Sequence, residues 1–190
     1  MPKGKWARGI KPRHLQWFIR DKLAICERPG GYGVDHRKVR RQEEVIWIRE
    51  SDFSYLVSMI PSDHNLQTYD DCGMPWKHWP FPPSVELDVS LSLIYPELKK
   101  LLEDNKKLLM HLEEVNDRLA GFLGGYLRWS GMVPVTFEAI IVTERILGRQ
   151  MGPDGRAIVK AAGEIAESQV DIDLTQPTQT SVNQTQSLIA

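Results

Sequence analysis

The chain has 190 residues, 42% of them hydrophobic and 26% charged, with a formal net charge of −1. This length is typical of one domain, and the hydrophobic share is large enough for a packed core, so a chain disordered throughout is excluded. Two cysteines exclude a disulfide framework, and no apolar run approaches the roughly 20 residues of a membrane span, so we expect a cytoplasmic protein.

Positive charge is concentrated near the N-terminus. Residues 1–49 contain thirteen Lys or Arg and five Asp or Glu, a net +8, whereas the rest of the chain contains eleven and twenty, a net −9. Residues 1–14 lack hydrophobic periodicity, which predicts a basic N-terminal arm. The basic half indicates either a surface for an anionic partner such as nucleic acid or an ordinary solvated helix face, and both interpretations stay open here.

The apolar residues indicate a mixture of strands and helices. Short apolar runs typical of strands occupy 15–19, 23–26, 55–60 and 108–110. Apolar residues at helical spacing predict helices over 35–50, 88–104, 119–129, 134–147 and 156–167. Residues 168–190 are rich in Gln, Thr, Ser and Asn, which predicts a disordered polar tail after a single domain of residues 15–167.

Three glycines interrupt the predicted helix 119–129, at Gly121, Gly124 and Gly125. Each glycine costs a helix about 1 kcal/mol relative to alanine. A helix that tolerates three of them is expected to approach the sheet or another helix closely, and this packing explanation is preferred to a hinge.

Residues 107–129 carry the most informative pattern. The apolar run from Leu108 to Met110 passes through a short polar loop into a helical pattern, so the loop lies at a helix N-terminus, where anions bind readily. His111 and Arg118 occupy fixed places in this frame. The pattern resembles the signature of the cysteine-dependent phosphatases of the dual-specificity type, in which a strand, His-Cys, five residues and Arg lead into a helix.

A second stretch supports the same resemblance. Tyr69 is followed four residues later by Gly73, and then by His78 and Pro80 in a His-x-Pro pattern. In the family, these residues end a strand and lead to the loop that carries the general acid. The resemblance implies an α/β fold with a central four- to five-stranded sheet flanked by helices, similar to the dual-specificity phosphatases.

The general acid itself is displaced or lost. In the family it follows the proline by about three residues, where this chain has Pro83 and Ser84. Glu86 and Asp88 are close enough to be shifted substitutes. Even so, a general acid protonates a leaving group and has no role in this mechanism without a nucleophile.

The loop departs from the family signature at three positions. The nucleophilic Cys is replaced by Leu112, which has no lone pair with which to attack phosphorus. The family's glycine is replaced by Val115, and the hydroxyl residue after the Arg by Leu119. Neither Cys26 nor Cys72 is followed by Arg at the required spacing. The chain is therefore identified as a degenerate member of the family, a pseudophosphatase without the thiolate route.

Acidic residues dominate the loop. It consists of His111, Leu112, Glu113, Glu114, Val115, Asn116, Asp117 and Arg118. Two like charges about 4 Å apart repel by roughly 1 kcal/mol in water and by more where solvent is excluded. We therefore expect the loop to reject phosphate, and Arg118 to form an internal salt bridge with one of the three loop carboxylates. No metal is expected here, because adjacent loop residues seldom converge on one ion.

These patterns predict an inactive phosphatase-like domain that binds a protein partner or regulates one, with no cofactor, metal or membrane contact. Two alternatives remain at this point. One is a phosphatase-fold hydrolase that uses Glu113, Glu114 or Asp117 as acid or base. The other is a module that binds nucleic acid or another anion through the basic N-terminal half. The sequence does not indicate the oligomeric state.

Overall fold

A computed structural model describes residues 9–31, 33 and 37–175. The strands are β1 Gln16–Ile19, β2 Leu23–Cys26, β3 Tyr55–Ser58, β4 Trp76–His78 and β5 Leu108–His111. The helices are α1 Lys38–Glu50, α2 Leu66–Asp71, α3 Leu87–Glu103, α4 Asp117–Trp129, α5 Thr136–Leu147 and α6 Pro153–Thr175. The predicted α/β fold with a central sheet flanked by helices is confirmed, and the sheet has five strands.

The strands lie in the order β1-β2-β5-β3-β4, and all neighbours are parallel except β1 and β2. Because the carboxyl ends of parallel strands meet at one edge of a sheet, the last residues of four strands lie side by side there. Cys26 is in register with His111, His111 with Ser58, and Ser58 with His78. This carboxyl edge is where the loop of residues 112–116 begins.

The sheet separates two hydrophobic cores. Alternate residues of a strand point to opposite faces, so Leu108 and Met110 of β5 join the larger core, which α3, α4, α5 and α6 complete. Leu109 points to the smaller core, to which α1 and α2 contribute. Both faces of β5 are therefore covered, as expected for a central parallel strand that is apolar along its length.

Helix α4 packs closely against α6. A Cβ atom added to Gly121 would lie 2.5 Å from the Cα of Gly155 in α6, so the two backbones are in direct contact at this point. At Gly125, an added Cβ would lie 2.4 Å from the hydroxyl oxygen of Tyr95. The packing role expected of these glycines is confirmed.

The C-terminal helix is longer than predicted. It continues to Thr175, so the expectation that the disordered tail begins at residue 168 is wrong for the first eight residues of that tail. The sequence contains neither glycine nor proline between 164 and 176, and polar side chains alone do not stop a helix. The predicted tail from residue 176 onward, residues 1–8 of the predicted arm and the start of the first predicted helix near residue 35 lie outside the described residues.

Candidate functional site

The loop of residues 112–116 connects β5 to α4, as the sequence predicts. Asn116 is the N-cap of α4 and has extended backbone angles. Its side-chain oxygen accepts a hydrogen bond from the backbone N–H of Leu119 at 3.0 Å, which satisfies one of the free donors of the first helical turn. The start of α4, directly after the loop, is thus fixed by an ordinary helix cap.

Leu112 is buried at the start of the loop. Its side chain is 6% exposed and belongs to the larger core, on the side of the sheet that carries α4. An aliphatic side chain in this position contributes to packing and has no atom that can act as a nucleophile or accept a proton.

His111 is a buried neutral imidazole. Its Nδ1 donates to the backbone carbonyl of Leu112 at 3.1 Å, and its Nε2 therefore accepts from the hydroxyl of Tyr69 at 3.0 Å. Complete burial lowers the pKa of His111 to about 4. At neutral pH this histidine holds the loop to α2 through neutral hydrogen bonds.

Arg118 is held by the segment that follows β4. Its Nε donates to the carbonyl of Phe81 at 3.1 Å and its Nη2 to the carbonyl of Pro82 at 2.7 Å. Its guanidinium carbon lies 4.3 Å from the centre of the Phe81 ring, a cation–π contact. Its Nη1 lies 3.5 Å from a carboxylate oxygen of Asp154, at the start of α6.

The predicted salt bridge between Arg118 and a loop carboxylate is therefore wrong, because the ion pair is formed with Asp154. The loop carboxylates have other partners. Both oxygens of Glu113 lie 2.9 Å from Nη1 of Arg28. Asp117 accepts from the backbone N–H groups of Gly152 at 2.6 Å and Gly155 at 2.7 Å.

Sequence reasoning missed the partners that bind the loop from distant parts of the chain. These are Arg28, Phe81, Pro82 and Asp154. Phe81 and Pro82 accept their hydrogen bonds through backbone carbonyls, for which side-chain identity carries no signal. The charge of Arg28 and of Asp154 was visible in the sequence, but each lies more than thirty residues from its partner and no spacing rule connects them.

The two candidate acids lie at the start of α3. Glu86 is the N-cap residue and makes no capping hydrogen bond through its side chain, and Asp88 lies in the first turn, where a negative charge is favourable. Both side chains are exposed. The structure thus places them in the segment that leads away from Pro82, without bringing them into hydrogen bonds with the loop of residues 112–116.

Neither cysteine lies in the loop of residues 112–116. Cys26 and Cys72 are both free, and Cys26 is fully buried at the carboxyl edge beside His111. Burial raises the pKa of the Cys26 thiol well above its usual value, and Glu44 raises it further. A thiol in such surroundings stays protonated and is a poor nucleophile.

Within residues 9–31, 33 and 37–175, no three His, Cys, Asp or Glu side chains converge in a way that would hold a metal ion. No helix in the same part of the chain combines the length and the apolar composition needed to cross a membrane.

No protein-family model matches the sequence, and no curated protein does. Solved structures match the fold. Kinase-associated phosphatase with its catalytic-site cysteine substituted by serine has a TM-score of 0.67 at 18% identity, over 82% of this chain and 97% of that one. TpbA of P. aeruginosa has a TM-score of 0.61 at 17% identity, over 90% and 99%. A variant of human DUSP28 has a TM-score of 0.58 at 14% identity, over 83% and 99%.

These structures define the class of fold. The chain has the α/β fold of the dual-specificity and protein tyrosine phosphatases, which the sequence resemblance implied. The likeness extends over nearly the whole length of the compared proteins. At identities below 20% it describes the fold, and the activity has to be argued from the residues of the loop.

Proposed function

We propose that the protein is a catalytically inactive phosphatase-like domain that serves in the cytoplasm as a binding or regulatory module. The proposal rests on the state of two residues of the loop, Leu112 and Arg118. The position of the nucleophile holds a buried hydrocarbon, and the loop's single guanidinium is already bound to Phe81, Pro82 and Asp154.

Phosphate binding would require Arg118 to exchange its present partners for a dianion. Hydrogen bonds that involve a charged group contribute about 1.5–3 kcal/mol each, so releasing the carbonyls of Phe81 and Pro82 is costly. An entering phosphate would also meet the carboxylates of Glu113 and Asp154. Both considerations support a loop that neither binds a phosphoester tightly nor attacks it.

The alternative of a carboxylate-based hydrolase has less support. Glu113 is paired with Arg28, and both oxygens of Asp117 accept backbone N–H groups at the start of α6. A general acid or base must reach a substrate atom within hydrogen-bonding distance. Carboxylates held by the protein in this way are poorly placed to do so.

An anion-binding role for the basic half also has less support. Four arginines of that half donate hydrogen bonds within the domain. These are Arg28 to Glu113, Arg40 to Glu44, Arg41 to Asn65, and Arg49 to the carbonyl of Cys72. Cations with internal partners have fewer free donors for the phosphates of a nucleic acid.

Hydrolysis of p-nitrophenyl phosphate tests the proposal. We expect the wild-type rate to equal the rate without enzyme, because Leu112 cannot form a phosphocysteine and the carboxylates of Glu113 and Asp117 are held by Arg28 and by backbone N–H groups. Leu112→Ala is the matched control, since it removes the side chain without adding a nucleophile. Leu112→Cys should stay far below a true phosphatase, because Arg118 remains bound elsewhere.

Wild-type turnover above background would contradict the proposal. Turnover lost in Asp117→Asn would favour the carboxylate-based hydrolase. An NMR titration with inorganic phosphate provides a second measurement. We expect no shift of the amide resonances of residues 113–118, and saturable shifts there would show that the loop still binds anions.

A further inference from the structure

Helix α5 has one side packed against the domain and an opposite side that is apolar as well. Its buried residues are Ala139, Ile140 and Thr143, and it packs against α4, α6 and β1. At about 100° per residue, Ile141 lies at the centre of the opposite side, and it belongs to neither of the two described hydrophobic cores. Phe137, one turn earlier on that side, is 64% exposed. An apolar surface therefore runs along this outer face of α5.

The outer face also carries two opposite charges. Glu138 lies in the first turn of α5 and Arg145 in the last turn, and both side chains are exposed. Among residues 9–31, 33 and 37–175, no group forms an ion pair or a hydrogen bond with either charged side chain. Because the two residues are seven positions apart, which is about two helical turns, they lie on the same side of Ile141.

This placement makes the outer face complementary to itself. A two-fold axis at Ile141, perpendicular to the helix, reverses the direction of a second α5 and keeps each side of the face on the same side. Glu138 then lies opposite Arg145 of the partner, and Arg145 opposite Glu138 of the partner, so the ion pair forms twice. A parallel arrangement would instead put glutamate at the height of glutamate and arginine at the height of arginine, and neither charge would find its opposite.

The shape of the outer face fits the same antiparallel arrangement. Gly148 directly follows α5, and a Cβ atom added to it would meet no atom of the described residues within 4 Å outside its chain neighbours. In the antiparallel pair, Phe137 lies opposite the gap between Glu144 and Gly148 of the partner. The carboxylate of Glu144 is held by Arg156 at 2.9 Å. The ring of Phe137 can therefore be buried over a glycine without displacing a side chain.

We propose that the outer face of α5 binds a second copy of this chain, with the two helices antiparallel about Ile141. A second copy is favoured over a different protein because the face supplies both members of its own ion pair. The dimer would also border the candidate site. Arg149, next to Gly148, donates to the carbonyl of Val115 in the loop of residues 112–116 at 2.6 Å. Phe137 of the partner would therefore lie beside a residue that binds the loop.

The size of the contact sets the expected affinity. Helix α5 has 12 residues, so a pair of these helices is a small interface. Interfaces that bury less than about 1,200 Å² in total are typical of weak and transient complexes. We therefore expect a dimer with a Kd on the order of 10–100 µM.

Sedimentation equilibrium of the full chain, from about 5 µM to about 500 µM, tests the proposal. We expect Glu138→Arg and Arg145→Glu each to raise the Kd by about 10-fold, because like charges then face each other twice in the dimer. The double variant restores opposite charges, and its Kd should return to within about threefold of the wild-type value. Such a rescue requires that the two positions face each other across the interface.

The apolar part of the contact is tested by Phe137→Ala, which should raise the Kd by about 10-fold. Leu93→Ala is the matched control, because Leu93 is 70% exposed on α3, and it should leave the Kd unchanged. Lys99→Glu reverses an exposed charge on the same helix and is the control for the charge variants. All the substituted side chains are exposed, so we expect the fold to be retained, which circular dichroism checks.

The inference is overturned if the chain stays monomeric over this concentration range, or if it dimerises as tightly with Phe137→Ala as without it. It is also overturned if the double charge variant is as weak as the single variants, or if the two controls on α3 weaken the dimer equally. A monomer in which removal of residues 176–190 shifts the ring resonances of Phe137 would assign the face to that segment instead. None of these outcomes affects the inactive loop, which phosphate-ester hydrolysis tests separately.

Discussion

Helix α4 and the loop that precedes it are stabilised by different interactions. Within the helix, every residue from Arg118 to Leu127 is buried, and the contact with α6 depends on the absence of a side chain at Gly121. The loop is held by polar contacts with residues far away in the sequence, such as Arg28 for Glu113. The helix is therefore held by close packing, whereas the loop is held by polar contacts with individual side chains.

This difference teaches that the packing of α4 and the identity of residue 112 are largely independent. The packing of α4 against α6 requires small residues at certain positions and places no demand on residue 112 beyond burial. Leu112 meets that demand as well as a cysteine would, because both side chains are apolar enough for a core. The strand, the loop and the helix can therefore be retained with leucine at position 112.

The strongest way to break the comparison is to place a methyl group between α4 and α6. Gly121→Ala would bring a Cβ within 2.6 Å of the backbone oxygen of Gly155, and a backbone has little freedom to move. We expect the variant to lose about 3 kcal/mol in the free energy of unfolding, in the upper range for overpacked cores. Urea denaturation measures this loss.

Gly163→Ala is the matched control. Gly163 also lies within a helix, but an added Cβ would meet side-chain atoms of Arg128 and Thr136 at 3.2 and 3.3 Å, and both can shift. Because alanine favours the helix by about 1 kcal/mol, this variant should be unchanged or slightly more stable. An equal loss in both variants would mean that close backbone packing is not the special property of α4.

Lowering the pH sharpens the comparison, because it protonates His111, the buried residue directly before the loop. The pKa of His111 is lowered from 6.5 to about 4 in the folded protein, so the unfolded chain binds the proton more readily. The contribution of neutral His111 to the free energy of unfolding is complete above pH 6.5. It is lost as the pH falls toward the pKa of His111 in the folded protein. From pH 7 to pH 5, we expect a loss of about 2 kcal/mol in the free energy of unfolding.

The pH dependence has its own control and its own direct measurement. His64→Gln changes an exposed histidine and should leave the slope of stability against pH unchanged. His111→Asn should flatten it. By NMR, the ring protons of His111 should not titrate between pH 7 and pH 5, and a midpoint near 6.5 would show that this imidazole is not buried as a neutral base.

The sequence predicted the parts of the structure that depend on local patterns. Short apolar runs located β2, β3 and β5, and the glycines at Gly121 and Gly125 indicated close helix packing. The motif of His111 and Arg118 placed a loop between a strand and a helix, and the resemblance built on it implied the arrangement of the sheet. In each case, the information lies within one element or one motif of the chain.

The partners of the loop could not be predicted in this way. Arg118 was expected to bind a carboxylate close in sequence, but the first turn of α4 directs it toward the backbone of Phe81 and Pro82, which the folded sheet brings there. Nearby acids were unavailable because Arg28 and the amides at the start of α6 bind them. Which partner each of these side chains binds depends on tertiary geometry, and the residue types alone do not contain that information.

The smallest effect is expected at the surface of the loop, in Glu113→Gln. The Glu113 side chain is 41% exposed, whereas that of Arg28 is 12% exposed, so water screens one half of the pair. Solvent-exposed ion pairs contribute about 0–1 kcal/mol, and we expect a loss in that range by urea denaturation. Glu103→Gln, in the exposed pair with Lys99, is the control and should cost nothing measurable. If Glu113→Gln instead destabilised the protein as much as Gly121→Ala, the loop would be part of what holds the fold together, and the separation between a packed helix and a replaceable loop would be wrong.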